Sequence, residues 1–153
     1  TSIPQGSLSS FANYVAGLMP TQKEVNAITQ AFRELADKEE TDVYHCTQLY
    51  GIGGSIRSAA KLYGDLCNNG NRFNYLLPEH IDAILNRYAE DPNAFAHEAL
   101  RTLPDRIHTL IPGCVIIREA FKLCGGERLD ICKYGVREGY LAERVLVKPV
   151  SFA

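Results

Sequence analysis

Tryptophan is missing from this 153-residue chain, methionine occurs once, and no stretch approaches the roughly 20 consecutive apolar residues that cross a bilayer. The opening TSIPQGSLSS lacks a basic segment followed by an apolar one, so it does not read as a secretory signal, and a soluble protein is expected. An excess of either charge is lacking too. With 16 Lys+Arg against 18 Asp+Glu and a formal charge of −2, there is no global basic field to capture nucleic acid or an anionic membrane. Twelve glycines and seven prolines are too few for a collagenous or low-complexity chain, and a 46% hydrophobic share excludes disorder as the main state. Five cysteines (Cys46, Cys67, Cys114, Cys124, Cys132) form an odd set without C-x-x-C spacing, which suits neither a disulfide framework nor a zinc ribbon. Reduced thiols and a cytoplasmic location are expected. The length suits one domain, 1–153, and is short for two. The chain opens at Thr1 and its one methionine is Met19, as expected of a piece of something longer.

What is present is hydrophobic periodicity. Thr21 and Glu24 have the spacing of a capping box, and Val25, Ile28, Phe32 and Leu35 then recur at helical intervals to about Asp37. Val43 to Tyr50 is rich in β-branched and aromatic residues and is read as a strand. Gly51-Ile-Gly-Gly-Ser55 turns from it into Ile56, Ala59, Ala60 and Tyr63, a helix whose natural N-cap is Ser55. Residues 67 to 74 read as a loop, and Pro78 suits the first turn of a helix carrying Ile81, Ile84, Leu85 and Tyr88. Asp91-Pro92 breaks it. A short helix with Phe95, Ala99 and Leu100 follows, and then, past Pro104, a longer stripe of Leu110, Cys114, Ile117, Phe121 and Cys124, closed by Gly125-Gly126. Leu129 to Cys132 reads as a second strand, Val136 to Val145 as a last helix, and Ser2 to Pro4 as a possible third strand. No internal repeat is visible. The pattern predicts an α/β fold, helix-rich, with a small, mostly parallel sheet.

The sharpest chemical feature is the glycine turn between a strand and a helix N-terminus. Glycines admit a ligand close to the backbone, and the helix end offers free N–H groups and partial positive charge to an anion. The turn has neither the Lys of a P-loop nor the third Gly of a dinucleotide fingerprint, so a phosphate contact and a plain tight turn both stand. His45 and Cys46 are neighbours on an expected strand and point to opposite faces. His80, His97 and His108 fall on helices, and only His108 has a carboxylate one turn away, Asp105. All four read as ordinary surface or core histidines. Arg106 reads as a surface or lobe-packing residue more than a substrate arginine, with Pro112 and Gly113 letting the long helix come close to a neighbour. Gly135-Val-Arg-Glu-Gly139 reads as a helix start with its charge pair.

Three blocks in order, Gly51-Ile-Gly-Gly-Ser-Ile-Arg-Ser-Ala59, Leu103-Pro-Asp-Arg106 with Leu110-Ile-Pro-Gly113, and Tyr134-Gly-Val-Arg-Glu-Gly-Tyr-Leu141, together resemble the exopolyphosphatase and guanosine pentaphosphate phosphatase (Ppx/GppA) family of the actin-like superfamily. Ile3-Pro-Gln-Gly6 is similar to the strand and glycine that follow that family's second phosphate loop. The resemblance implies two ribonuclease H-like lobes across a cleft, of which this chain is the later part of the second. It also implies a hydrolase that cleaves phosphoanhydride bonds of polyphosphate or guanosine pentaphosphate by water attack, with magnesium expected for the full-length enzyme. The family's loops, DxGSNS and DxGGGST, are absent from this sequence, and its water-activating glutamate would lie upstream, so the chain is expected to contribute no catalytic residue and to be inactive alone. Its substrate-binding residues by resemblance are Gly53, Gly54, Ser55 and Arg57. A homo-oligomer is expected, with no nucleic acid or membrane as partner. The strand ending at Tyr50 is expected to lie parallel to Leu129–Cys132 with its other edge bare. The alternative is a non-catalytic nucleotide- or phosphate-binding module. A third reading is a helix-rich domain whose glycines merely turn the chain.

Overall fold

Thr21 caps the helix that the Thr21/Glu24 spacing predicts: its Oγ1 accepts from the Glu24 amide at 3.3 Å while Glu24 Oε2 accepts from the Thr21 amide at 2.6 Å. Such reciprocal capping is worth about 1 kcal/mol. In the computed structural model, which describes residues 2–39 and 45–146, this helix is α2 (Gln22–Lys38), and it follows α1 (Ser7–Tyr14). The later elements are β1 (Gln48–Gly51), α3 (Gly54–Cys67), β2 (Tyr75–Leu76), α4 (Pro78–Glu90), α5 (Pro92–Thr102), α6 (Ile107–Cys124), β3 (Arg128–Ile131) and α7 (Val136–Leu141). A 3-10 turn at Pro104–Arg106 precedes α6, and a π-helical turn at Ala142–Leu146 continues α7.

The core is built around α6. Its Ile107, Leu110, Ile111, Cys114, Val115, Ile117 and Phe121 are all buried, and it packs against α1, α2, α3 and α4. A helix apolar on nearly every side belongs at the centre of a domain. The surrounding helices each turn one stripe inward: Val25 and Ile28 from α2, Ala59 and Leu62 from α3, Ile81 and Ile84 from α4, Phe95 and Ala99 from α5. α6 ends where Gly125 adopts φ 63, a left-handed cap that a side chain would strain, and the Gly126 amide then returns to Phe121 O at 2.9 Å. Glu119 is a buried charge within this helix. Its Oε2 meets Arg33 Nε of α2 at 2.7 Å and its Oε1 meets Lys122 Nζ at 3.2 Å, which joins the two helices. Burial pushes this carboxyl up, but the bonds from Arg33 and Lys122 outweigh it and hold the group below the usual carboxylate range.

The sheet is mixed, in the order β1-β3-β2. β1 runs parallel to β3, with Gln48 opposite Arg128 and Gly51 opposite Ile131, as the sequence led us to expect. β2 pairs antiparallel to β3, with Leu76 opposite Leu129. It lies just past the stretch read as loop, too short at two residues to show a period. Among the described residues β1 has no partner on its other edge.

Several expectations need correction. The first strand begins at Gln48, and the part of the expected strand at Val43 and Tyr44 lies outside the described residues. Ser2–Pro4 forms no strand, because no neighbouring strand offers it a ladder. α1 was not expected. The last helix is interrupted, α7 giving way to the π-turn after Leu141. Ser55 is not the cap of α3: the N-cap is Gly53, and the Ser55 hydroxyl instead pairs with Ser7 Oγ of α1 at 3.0 Å.

Candidate anion-binding hollow

β1 and β3 lie side by side and parallel, so their carboxyl ends open on the same edge of the sheet. That edge is where parallel α/β sheets receive ligands. The chain leaves β1 at Gly51 and starts α3 at Gly54, and it does so through Gly53 with φ 115 and ψ 179, a conformation essentially reserved for glycine. This sharp exit aims the first-turn amides of α3, which no helical carbonyl can satisfy, at the space beyond the sheet. β3 delivers Lys133 to the same space, and α7 opens beside it.

The result is a hollow of about 560 Å³ whose lining includes Gly53, Gly54, Arg57, Arg106, Lys133, Arg137 and Glu138. Four cations face one carboxylate. That carboxylate is engaged: Glu138 Oε2 accepts from the Gly135 amide at 2.8 Å, and amide bonds from its own backbone and from Gly135 hold it below the usual carboxylate range. Arg57 and Arg106 form no side-chain hydrogen bond or ion pair among the described residues. Arg106 stands at the end of the 3-10 turn, where Pro104 fixes the backbone and the Arg106 amide closes on Leu103 O at 3.1 Å. From there its guanidinium lies over Gly54. A Cβ on Gly54 would fall 2.6 Å from Arg106 Nη2, so glycine is what lets the arginine approach the helix start. The two segments are held together below by Gly113 of α6, where a Cβ would sit 3.4 Å from Ser55 Cβ.

Helix-end amides, two arginines with open forks, a lysine and a third arginine in one concave space suit an anion with several oxygens, phosphate above all. They do not suit a bare metal ion. The only carboxylate in the lining is already bonded, and among the described residues no group of three His, Cys, Asp or Glu comes together. The magnesium implied by the family resemblance therefore finds no ligand set in this hollow.

Gly53, Gly54 and Arg57 line the hollow, whereas Ser55 does not: its side chain turns away to Ser7. Arg106, expected mainly to be a surface or packing residue, lines it. Lys133 and Arg137 were missed. One signal was available for them: both follow the carboxyl end of the strand expected to pair with β1. The histidines take no part. His80 is buried and stacked on Tyr63 with ring centres 4.0 Å apart, burial pushing its pKa down, and His108 packs edge-on against Phe11.

No protein-family model matches the chain, and no curated protein matches it in sequence. Solved structures do. The Aquifex aeolicus member of the Ppx/GppA protein family superposes with a TM-score of 0.71 at 22% identity, over 95% of this chain and 48% of that one. A second structure, of the Aquifex aeolicus PPX-GPPA enzyme, gives 0.72 at 20% identity over 94% and 48%. The type II variant of the Aquifex aeolicus Ppx/GppA phosphatase gives 0.71 at 21% over 95% and 49%. The chain thus shares the fold of these Ppx/GppA structures over about half of their length.

Proposed function

We propose that this chain is the later part of the second lobe of a Ppx/GppA-type phosphoanhydride hydrolase, in which the hollow at Gly53–Gly54 forms the phosphate-facing wall of the cleft. The observation that carries the reading is the convergence of Arg57, Arg106, Lys133 and Arg137 on the start of α3. In phosphoryl transfer the protein's work is positioning and charge stabilisation, and this wall can do both for non-bridging oxygens of a linear polyphosphate or a guanosine pentaphosphate. The amides of Gly54 and Ser55 and the guanidinium groups of Arg57 and Arg106 orient and neutralise the anion. The hollow offers no free carboxylate to activate water, so in this reading the attacking water and magnesium are handled by residues outside it, and the chain alone does not turn over. In this reading the five free thiols fit a cytoplasmic enzyme.

The alternative is a module that holds a phosphorylated ligand without cleaving it, favoured by the engagement of Glu138 with Gly135. One experiment separates the readings. The purified chain is titrated with pyrophosphate, tripolyphosphate and guanosine pentaphosphate, following its melting temperature and the release of orthophosphate. Stabilisation that saturates, and that weakens about tenfold in Arg57→Ala and in Arg106→Ala, supports the hollow as the phosphate site. Absence of stabilisation by any of them refutes it. Steady phosphate release by this chain refutes the expectation that it is inactive alone. If binding without release persists when the upstream segment of its gene is expressed together with it, the binding module is the better reading.

A further inference from the structure

At the edge of the sheet opposite the hollow, the approach to β1 runs alongside the end of α6. The Cys46 amide donates to Cys124 O at 2.9 Å, and the neighbouring His45 ring lies against Gly125, where a Cβ would sit 2.9 Å from His45 Nδ1. Covalent dimensions then limit the Cα atoms of Cys46 and Cys124 to roughly 6.8 Å apart even if the bond were perfectly linear. That is within the separation, about 4.4–6.8 Å, that a disulfide spans. Cys46 is exposed, and its thiol donates to Gln48 O at 2.8 Å, a contact one rotation about χ1 would release. Cys124 is part-exposed on the last turn of α6, held in place by the Gly125–Gly126 cap. We infer that Cys46 and Cys124 are a paired oxidation site, closing to an intramolecular disulfide when a peroxide reaches them.

The chemistry balances with hydrogen peroxide as oxidant. The Cys46 thiolate attacks the O–O bond and becomes a sulfenic acid, the departing hydroxide taking up a proton as the first water. The Cys124 thiolate then displaces the second hydroxide from that sulfur, forming the S–S bond and, with one more proton, the second water. The two thiols lose two protons and two electrons in all. Cys46, the exposed thiol, is the one oxidised first; burial, and then the neighbouring Cys46, push the Cys124 thiol up, which suits Cys124 as the resolving one. The remaining cysteines lack this arrangement. Cys114 is fully buried, its thiol pushed up to about 12, and neither Cys67 nor Cys132 has a backbone bond to another cysteine among the described residues. A bridge between residues 46 and 124 would enclose everything from β1 to α6 and so restrict the unfolded chain.

The test is oxidation of the whole folded chain with hydrogen peroxide at micromolar protein, followed by N-ethylmaleimide under denaturing conditions, proteolysis and mass mapping. The expected result is an intact mass lower by two hydrogens, three alkylated thiols, one cross-linked peptide joining Cys46 to Cys124, and a melting temperature several degrees higher that dithiothreitol reverses. Cys46→Ser and Cys124→Ser each remove the cross-link and the shift, while Cys67→Ser and Cys132→Ser keep both. A cross-link between any other pair, disulfide-linked dimers, or five alkylated thiols after oxidation overturns the assignment.

Discussion

Replacing Gly53 and Gly54 by alanine, one at a time, separates the two roles assigned to the turn. Gly53 has φ 115 and ψ 179, and a Cβ there meets nothing within 4 Å. The whole cost of Gly53→Ala is therefore backbone strain, of order 1–3 kcal/mol for a non-glycine residue in that region. Gly54 shows the reverse. Its backbone is helical, so alanine costs nothing in conformation and gains slightly in helix propensity, but its Cβ falls 2.6 Å from the Arg106 guanidinium. The guanidinium is the far end of a flexible side chain and gives way cheaply, at the cost of leaving its place over the helix start. The expected outcome is a dissociation. By urea unfolding Gly53→Ala loses about 1–3 kcal/mol, roughly 2–10 °C in melting temperature for a chain of this size, while Gly54→Ala stays within about 0.5 kcal/mol of the parent. By titration with tripolyphosphate Gly54→Ala binds several-fold more weakly. Made in the Arg106→Ala protein, Gly54→Ala produces no further weakening, because both changes act through the same guanidinium. A Gly53→Ala protein as stable as the parent would refute the positive-φ turn. A Gly54→Ala effect that survives in the Arg106→Ala background would refute the arginine as its cause.

Two further outcomes test the scaffold beneath the hollow. Gly64 of α3 faces the 68–74 segment so closely that a Cβ would lie 2.1 Å from the backbone oxygen of Asn71, and the Gly70 amide already bonds Gly64 O at 2.7 Å; Gly64→Ala is expected to cost about 2–3 kcal/mol in urea unfolding, and a change below about 0.5 kcal/mol would contradict this packing. Glu119→Gln is expected to cost about 1–2 kcal/mol at neutral pH, discounted because the side chains of Arg33 and Lys122 are 53% and 56% exposed and recover water when the carboxylate is lost. Because the folded-state pKa of Glu119 is lowered, its contribution is full above the unfolded value of about 4.3 and fades as pH falls through the folded value; the gap between parent and variant should therefore narrow as the pH is taken down from about 7 through the acid range, and a gap unchanged with pH would contradict the ion pair.

Much of the secondary structure could be read from the chain because it is locally encoded. The Thr21–Glu24 box, the stripe through Val25, Ile28 and Phe32, Pro78 at a helix start, the break at Asp91-Pro92, and Gly125 closing α6 all act through neighbours within a turn or two. The start of α3 was misread for an equally physical reason. Ser is a better cap than Gly in isolation, but here the turn needs a positive φ two residues earlier, and the Ser55 hydroxyl is drawn off by Ser7, which is 48 residues away in sequence. β2 escaped notice because two residues carry no period, and only β3 alongside makes Tyr75–Leu76 a strand.

Periodicity, capping and turn chemistry were enough to specify most of the helices, the two parallel strands and the glycine bend, since none of these needs a distant partner to be recognised. That the bend faces a cationic hollow is a product of packing. Arg57, Arg106 and the Lys133/Arg137 pair come from three separate segments of the chain, and what gathers them is the approach of α6 to α3 at Gly113 and the parallel pairing of β3 with β1. Charge carries no sequence signal of convergence, because the free energy that places these side chains comes from apolar surface buried elsewhere in the domain.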